Sequence, residues 1–323
     1  MRPVAAFVWL VAAVSVAGCG TQNVLLDAQE GYLFTAYDAV ALPGENVALR
    51  ARLQGGDFLR DQPGHVVRFR KNGTFYKAAE TDSDGFATAT FTPEAPGDYV
   101  LRADLSPNGF PHEPPAPTSL LVRCRAAETP MLIVDLDKTL VASGFEQVLL
   151  GEPEPMPDSP AVMKRLAERY MVVYLTHRPD MFGPKSKMWL REHGYPTGPL
   201  LLSDVGGFLK GSGAFKSAVL ADLRRRFKGK AVGIGDKVSD AIAYHENGLQ
   251  AFFILEVAED ATPDALRRSA QSLEALPEAV QVVTGWNQIE KTVFNGLSFP
   301  PSSMRRRLRE LADDLDKKQG AGS

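Results

Sequence analysis

The stretch Met131-Leu132-Ile133-Val134-Asp135-Leu136-Asp137-Lys138-Thr139 is an apolar run closed by two aspartates and a threonine. A run that is apolar at every position is a strand covered on both faces, which is the habit of parallel sheets. Four more such runs follow: Met171 to Leu175, Pro199 to Leu202, Ala231 to Ile234 and Ala251 to Leu255. Between them the apolar residues switch to helical spacing. One helix is opened by Ser159 with Pro160 at its first position, one runs from about Pro184 to near Gly194, a third spans Ala214 to Phe227, and a fourth runs from Val238 to Asn247 and stops at Gly248. Strands alternating with helices predict a Rossmann-like α/β domain with helices on both faces of a parallel sheet. In such sheets a ligand sits at the carboxyl ends of the strands, so the residues after each strand carry the chemistry.

Upstream the pattern differs. From about Tyr32 to Arg123 apolar residues alternate, as in Val47-Ala48-Leu49-Arg50-Ala51-Arg52-Leu53 and Tyr99-Val100-Leu101-Arg102-Ala103. Period two means strands, and the turn signals Pro43-Gly44, Lys71-Asn72-Gly73, Asp82-Ser83-Asp84-Gly85 and Pro96-Gly97-Asp98 separate them. About seven short strands in roughly 95 residues predict an all-β antiparallel sandwich. The stretch Thr81 to Ala87, followed by Pro96-Gly97-Asp98-Tyr99, resembles immunoglobulin-like domains of bacterial surface proteins. Asp82, Asp84 and Gly85 fit either a hairpin turn or a fragment of a calcium loop whose other ligands are missing. A proline-rich stretch, Pro107 to Pro117, precedes the last strand, Ser119 to Arg123, and reads as a stiff edge loop.

The chain has 323 residues, 44% hydrophobic and 23% charged, an ordinary globular composition that excludes a disordered tail or a fibrous repeat. A net charge of -3 provides no global attraction to nucleic acid, and none is expected as a partner. Two cysteines cannot form a disulfide framework. Arg2, the apolar run Val4 to Val16, and then Val16-Ala17-Gly18-Cys19 resemble a bacterial lipoprotein signal, in which Cys19 is lipidated and becomes the mature N-terminus. That resemblance implies a membrane anchor in the bacterial envelope, facing away from the cytoplasm, and Gly20 after Cys19 favours the outer membrane. An uncleaved N-terminal anchor is the other reading. Cys124 has no partner and is expected to be a buried, inert thiol.

At the strand ends the sequence places Asp135 and Asp137 after the first strand and Thr176 after the second. Lys216 follows at the start of the third helix, and Asp236 and Asp240 come after the fourth strand. Paired carboxylates beside a divalent cation can divide the work of phosphoryl transfer: one attacks phosphorus and the other moves the proton. Lys210 is a rival for the lysine position, with Lys216 preferred because it lies on the helical pattern.

These residues resemble the haloacid dehalogenase superfamily. The resemblance implies Asp135 as nucleophile, Asp137 as general acid and base, Thr176 on the phosphoryl oxygens and Lys216 offsetting charge. It also implies Mg²⁺ held by Asp135, the Asp137 carbonyl, Asp236 and, through water, Asp240. Thr139, Lys138 and Arg178 are the expected substrate-binding residues. The intervals Asp135 to Thr176 and Thr176 to Lys216 leave no room for a separate cap domain, and capless enzymes of this superfamily take large substrates. Met181, Phe182, Trp189 and the loop Val205 to Leu209 could present apolar surface at the mouth, with core packing the alternative for Trp189.

A narrower resemblance runs from Met131 to Leu255. Tyr174-Leu175-Thr176-His177-Arg178-Pro179, Trp189-Leu190, Gly198-Pro199-Leu200, Phe215-Lys216 and Gly233 to Tyr244 look like the lipin-type (LNS2) phosphatidate phosphatase domain. The chain departs from it where Lys138 replaces a glycine, His177 a small residue, and Gly235-Asp236 a glycine-asparagine pair. The resemblance implies hydrolysis of a phosphate monoester, with phosphatidate or a similar phospholipid as substrate. A silent phospholipid- or envelope-binding module and an acid phosphatase for soluble phosphomonoesters are the alternatives. The expected division is a signal at 1–18, a lipidated linker at 19–29, the sandwich at 30–125, the phosphatase domain at 129–293 and a tail at 294–323. Asp260 to Val283 reads as helical. In the tail Met304, Leu308, Leu311 and Leu315 form a stripe beside Arg305, Arg306, Arg307 and Arg309. That stripe would dock on the enzyme domain, pair with a partner's helix or touch a membrane surface.

Overall fold

Alternating burial turns the first hundred described residues into strands. The computed structural model describes residues 31–56, 59–110, 113–143, 153–203, 212–258 and 260–320. Cys19 and the whole signal, Lys210, and the loop Val205 to Leu209 lie outside the described residues.

The N-terminal unit holds β1 (Tyr32–Tyr37), β2 (Ala39–Ala41), β3 (Val47–Gly55), β4 (Arg60–Asp61), β5 (Val66–Lys71), β6 (Thr74–Glu80), β7 (Phe86–Phe91), β8 (Gly97–Leu105) and β9 (Thr118–Cys124). They form two facing sheets, one of β1, β3, β4 and β7, the other in the order β2-β9-β8-β5-β6. Leu49, Leu53, Phe69, Phe91, Leu101 and Val122 fill the space between them, which makes the unit an immunoglobulin-like sandwich. The strands beyond the expected seven are β2 and β4, too short to show an alternation, and β2 pairs with β9 in parallel against the antiparallel rule. Asn72 and Gly73 both have positive φ, 51° and 77°, as the two-residue β5–β6 hairpin requires. The Asp82 carboxylate accepts the N–H groups of Asp84 and Phe86 at 3.0 and 2.9 Å, so it serves a hairpin turn.

The second unit is built on six parallel strands in the order β12-β11-β10-β13-β14-β15. These are β10 (Met131–Val134), β11 (Met171–Pro179), β12 (Leu200–Ser203), β13 (Ala231–Gly235), β14 (Gln250–Ile254) and β15 (Gln281–Val283). The helices are α1 (Ser159–Ala167), α2 (Gly183–Glu192), α3 (Ser212–Arg226), α4 (Val238–Glu246), α5 (Pro263–Ser272), α6 (Trp286–Asn295) and α7 (Pro301–Gly320). One face of the sheet is covered by α3, α4, α5 and α7, the other by α1, α2 and α6. The sixth strand corrects the expectation of an unbroken helix from Asp260 to Val283. Pro277 cannot continue a helix, and Val280 to Val283 extends onto the sheet edge, where it is fully buried apart from Gln281. Along α7, Met304, Leu308 and Ala312 are buried against α5 and the sheet, and Arg267 bridges from α5 to Asp313 and Asp316 at 2.7 Å. The tail therefore docks on the α/β unit. Among the described residues no helix is long and apolar enough to cross a membrane.

The two units meet through buried polar contacts. Asp38, between β1 and β2, accepts the N–H of Leu121 in the sandwich at 2.7 Å and the N–H of Leu200 in β12 at 2.9 Å, and pairs with Lys187 of α2 at 2.7 Å. Arg123 donates to the Thr197 carbonyl at 2.8 Å, and Arg226 of α3 donates to the Val40 carbonyl at 2.8 Å.

Candidate active site

Asp135 is the first residue past β10, and its N–H donates to the Ile234 carbonyl of β13 at 3.0 Å, which ties the two strand ends together. Its Oδ1 accepts the N–H of Leu136 at 2.8 Å, leaving Oδ2 to Lys216 Nζ at 2.6 Å. Lys216 also donates to Asp240 Oδ2 at 2.5 Å, and its side chain is only 1% exposed. Burial opposes a charged amine, but Asp135 and Asp240 outweigh it and hold the Lys216 pKa well above its ordinary value. Asp236 is pushed up to about 7, first by burial and then by Asp135. Asp240 is raised as well, because burial exceeds the compensation from Lys216.

Two glycines make this packing possible. A Cβ on Gly233 would lie 2.3 Å from the Tyr244 ring, and one on Gly235 would lie 3.2 Å from the Asp240 Cβ. Without those side chains α4 can approach β13, with Tyr244 beneath the site and Asp240 at its floor.

One oxygen from each of Asp135, Asp236 and Asp240 falls within a 4.8 Å cluster that could hold a metal ion. Asp236 Oδ1 and Asp240 Oδ1 are buried with no hydrogen-bond partner among the described residues. An all-oxygen set, crowded with negative charge and with orphaned acceptors, fits a hard divalent cation.

Asp137 is not a member of this cluster. Arg178 grips its carboxylate through Nη2 at 2.7 Å and Nε at 3.0 Å, and Nη1 donates to Ser186 of α2 at 2.9 Å. The Arg178 side chain, expected at the substrate, is 2% exposed with its donors engaged, whereas Asp137 is 20% exposed. The Thr176 hydroxyl is buried where the regular pairing of β11 with β12 ends, and accepts the N–H of Arg178 at 3.2 Å. Thr139, also expected at the substrate, is fully buried, and its carbonyl accepts the Trp286 indole N–H at 2.9 Å. Lys138 stands at φ 53°, the left-handed conformation in which a glycine is at ease, and its amine meets Glu256 beyond β14 at 3.0 Å. His177 lies 6.2 Å from Phe215, ring to ring. Phe182 and Trp189 belong to the buried interior and do not line the mouth. Trp189 stacks on Tyr195 and donates to the Pro153 carbonyl at 2.7 Å.

Sequence reasoning missed the residues that meet this site from the sandwich. Asp180, two residues past Arg178, accepts from the Tyr37 hydroxyl and from Arg52 Nη1, the latter at 2.8 Å. The signal was a nominally solvent-facing set on the β1-β3-β7 sheet, Tyr37, Arg52 and Phe86, that combines aromatic rings with charge.

The family model described as PITM 1-3, LNS2 domain, matches residues 132–258, the span that carries Asp135, Asp137, Thr176, Lys216, Asp236 and Asp240. A search of curated proteins found no match. Among solved structures, a CARDB domain of PF1109 from Pyrococcus furiosus, crystallised with di-metal ions, is 18% identical over 31% of this chain and 98% of its own, with a TM-score of 0.22. The D00-D0 domain of intimin is 19% identical over 32% of this chain and 51% of its own, with a TM-score of 0.24. Titin domains z1z2 are 18% identical over 33% and 58%, with a TM-score of 0.20.

Proposed function

We propose that the α/β unit is a Mg²⁺-dependent phosphatase that hydrolyses a phosphate monoester, with phosphatidate or a similar phospholipid as substrate. The carrying observation is the convergence of Asp135, Asp236 and Asp240 on one buried point, with Lys216 between two of them, at the carboxyl ends of β10 and β13. The LNS2 match over the same span supports it.

In this reading Asp135 Oδ attacks phosphorus, the bond from phosphorus to the leaving oxygen breaks, and Asp137 donates a proton to that oxygen. Asp137 then takes a proton from water, whose oxygen attacks the aspartyl-phosphate; inorganic phosphate leaves and Asp135 is regenerated. Lys216 and the Thr176 hydroxyl balance and orient the charged oxygens. Asp135, the Asp137 carbonyl, Asp236 and, through water, Asp240 would hold Mg²⁺, which would supply charge neutralisation for the attack of one anion on another. Arg178 fixes the orientation of the Asp137 carboxylate. Lys138, exposed beside the nucleophile with its amine paired to Glu256, offers a positive charge to an anionic substrate. A lipid on Cys19 would keep the enzyme at an envelope membrane, where phospholipid is concentrated.

The test is phosphate release by the chain from Thr21 onward, with and without Mg²⁺. It compares phosphatidate in mixed micelles with soluble phosphomonoesters. Mg²⁺-dependent release that favours phosphatidate is expected. Release from soluble esters alone keeps the chemistry and removes the lipid. Binding of phosphatidate without release from any ester overturns the enzyme reading in favour of a binding module.

A further inference from the structure

β11 pairs with β12 in regular register up to Thr176 opposite Leu202, and then shifts so that Pro179 faces Ser203. His177 and Arg178 form the bulge. A bulge forfeits ladder hydrogen bonds and re-aims a side chain, so its shape has to be fixed by what surrounds it. Two buried anchors flank this one. On the site side Arg178 holds Asp137. On the other side Asp180, 1% exposed, is held by the Tyr37 hydroxyl and the Arg52 guanidinium.

The sandwich prepares Arg52 for that contact. Its Nη2 reaches Asp61 Oδ1 at 2.8 Å, its Nε reaches the Asp84 carbonyl at 3.3 Å, and its guanidinium carbon lies 4.9 Å from the Phe86 ring centroid. Asp61 ends β4, Asp84 lies in a turn and Phe86 opens β7, so three separate pieces of the sandwich orient one cation toward Asp180. Adhesion between the units is already supplied by Asp38, Arg123 and Arg226. A buried ion pair is a weak source of net stability compared with apolar packing, and its use here matches a need for fixed geometry.

We propose that the sandwich is a working part of the active site: Arg52 and Tyr37 are positioning residues that, by clamping Asp180, hold the Thr176–Asp180 bulge and so keep Asp137 aligned by Arg178. The catalytic consequence rests on the phosphatase reading above. Without its partners Asp180 is a buried, unpaired carboxylate. The segment then moves to solvate it, and Arg178 moves with it.

The experiment uses the full chain from Thr21 with Arg52→Met, Arg52→Lys and Tyr37→Phe. It measures kcat/KM for two esters, p-nitrophenyl phosphate, whose leaving group needs little protonation, and phosphatidate, whose alkoxide needs a proton from Asp137. General acid catalysis is worth about 10²–10⁴-fold, so a misaligned Asp137 should penalise the alkyl ester selectively. Arg52→Met is expected to lower kcat/KM for phosphatidate at least about tenfold more than for the aryl ester. Tyr37→Phe should act in the same direction with a smaller loss, and Arg52→Lys should recover part of it. Equal losses on both esters, or none, overturn the proposal, since a merely structural role scales both with the folded fraction. Native-state amide exchange of residues 176–182 in Tyr37→Phe is the second readout. It should accelerate there while β10 and β13 keep their protection, and unchanged exchange at 176–182 contradicts the clamp even if Arg52→Met fails to fold. If the unmutated chain hydrolyses neither ester, the phosphatase reading falls, and the exchange measurement judges the clamp alone.

Discussion

Lys216 is the residue on which the site's electrostatics turn, because its ammonium lies between two buried carboxylates. Removing one member of a buried pair leaves an uncompensated charge and costs about 3–5 kcal/mol. Lys216→Met is therefore expected to lower the urea midpoint of the metal-free protein and to stop phosphate release, with Mg²⁺ restoring much of the stability and none of the activity. An unchanged midpoint would contradict the charge balance drawn from the geometry. Asp236 leads to a pH argument. Its carboxyl is pushed up to about 7 from an ordinary 3.8, so between those values the folded state binds a proton that the unfolded state has lost. Stability of the metal-free protein should then fall as pH rises through that window, and Mg²⁺ must displace the proton below about pH 7. Denaturation at pH 5 and pH 8 checks the sign: the gain from added Mg²⁺ should be larger at pH 8. These residues were legible in the sequence because each sits immediately past a buried strand or at a helix start. Asp180 was not, since its partners Tyr37 and Arg52 lie 143 and 128 residues away, and nothing local marks the pairing.

Among the elements, β13 and α4 have the least slack. The ring of Tyr244 occupies the space that a side chain at position 233 would need. Gly233→Ala is expected to destabilise by about 1–3 kcal/mol through overpacking. The double variant with Tyr244→Leu should recover part of that loss, as residues in direct contact are energetically coupled. Additive losses in denaturant would mean the two positions do not press on each other. The elements themselves were readable where periodicity was long: β10, β11, β13 and the helices between them follow continuous apolar runs or clear helical stripes. β15 was hidden because a strand from Gln281 to Val283 is too short to set a period, and it adjoins the helical pattern of α5. The β11 bulge escaped for the same reason: its residues read as the loop after a strand, and only pairing with β12 reveals the shift.

At the scale of the whole molecule, the change of pattern near Pro130 marks two units but says nothing of how firmly they join. Asp38 supplies that information, because its buried carboxylate serves the sandwich and the α/β sheet at once. The sandwich and the α/β unit are accordingly expected to unfold together in a single calorimetric transition. Asp38→Ala should remove the acceptor of the Leu121 and Leu200 N–H groups and the ion-pair partner of Lys187, and split the transition into two. Two transitions in the unmutated chain would mean that the units are only tethered. All of these arguments converge on Asp135, whose carboxylate is presented at the ends of β10 and β13 to the point where the other carboxylates meet. The most direct measurement is phosphate release by Asp135→Asn beside the unmutated chain under saturating Mg²⁺ and phosphatidate, with circular dichroism to show that both are folded. The account predicts release by the unmutated chain and none above background from the variant. Comparable turnover by the two would contradict the role of Asp135 as nucleophile and, with it, the central claim.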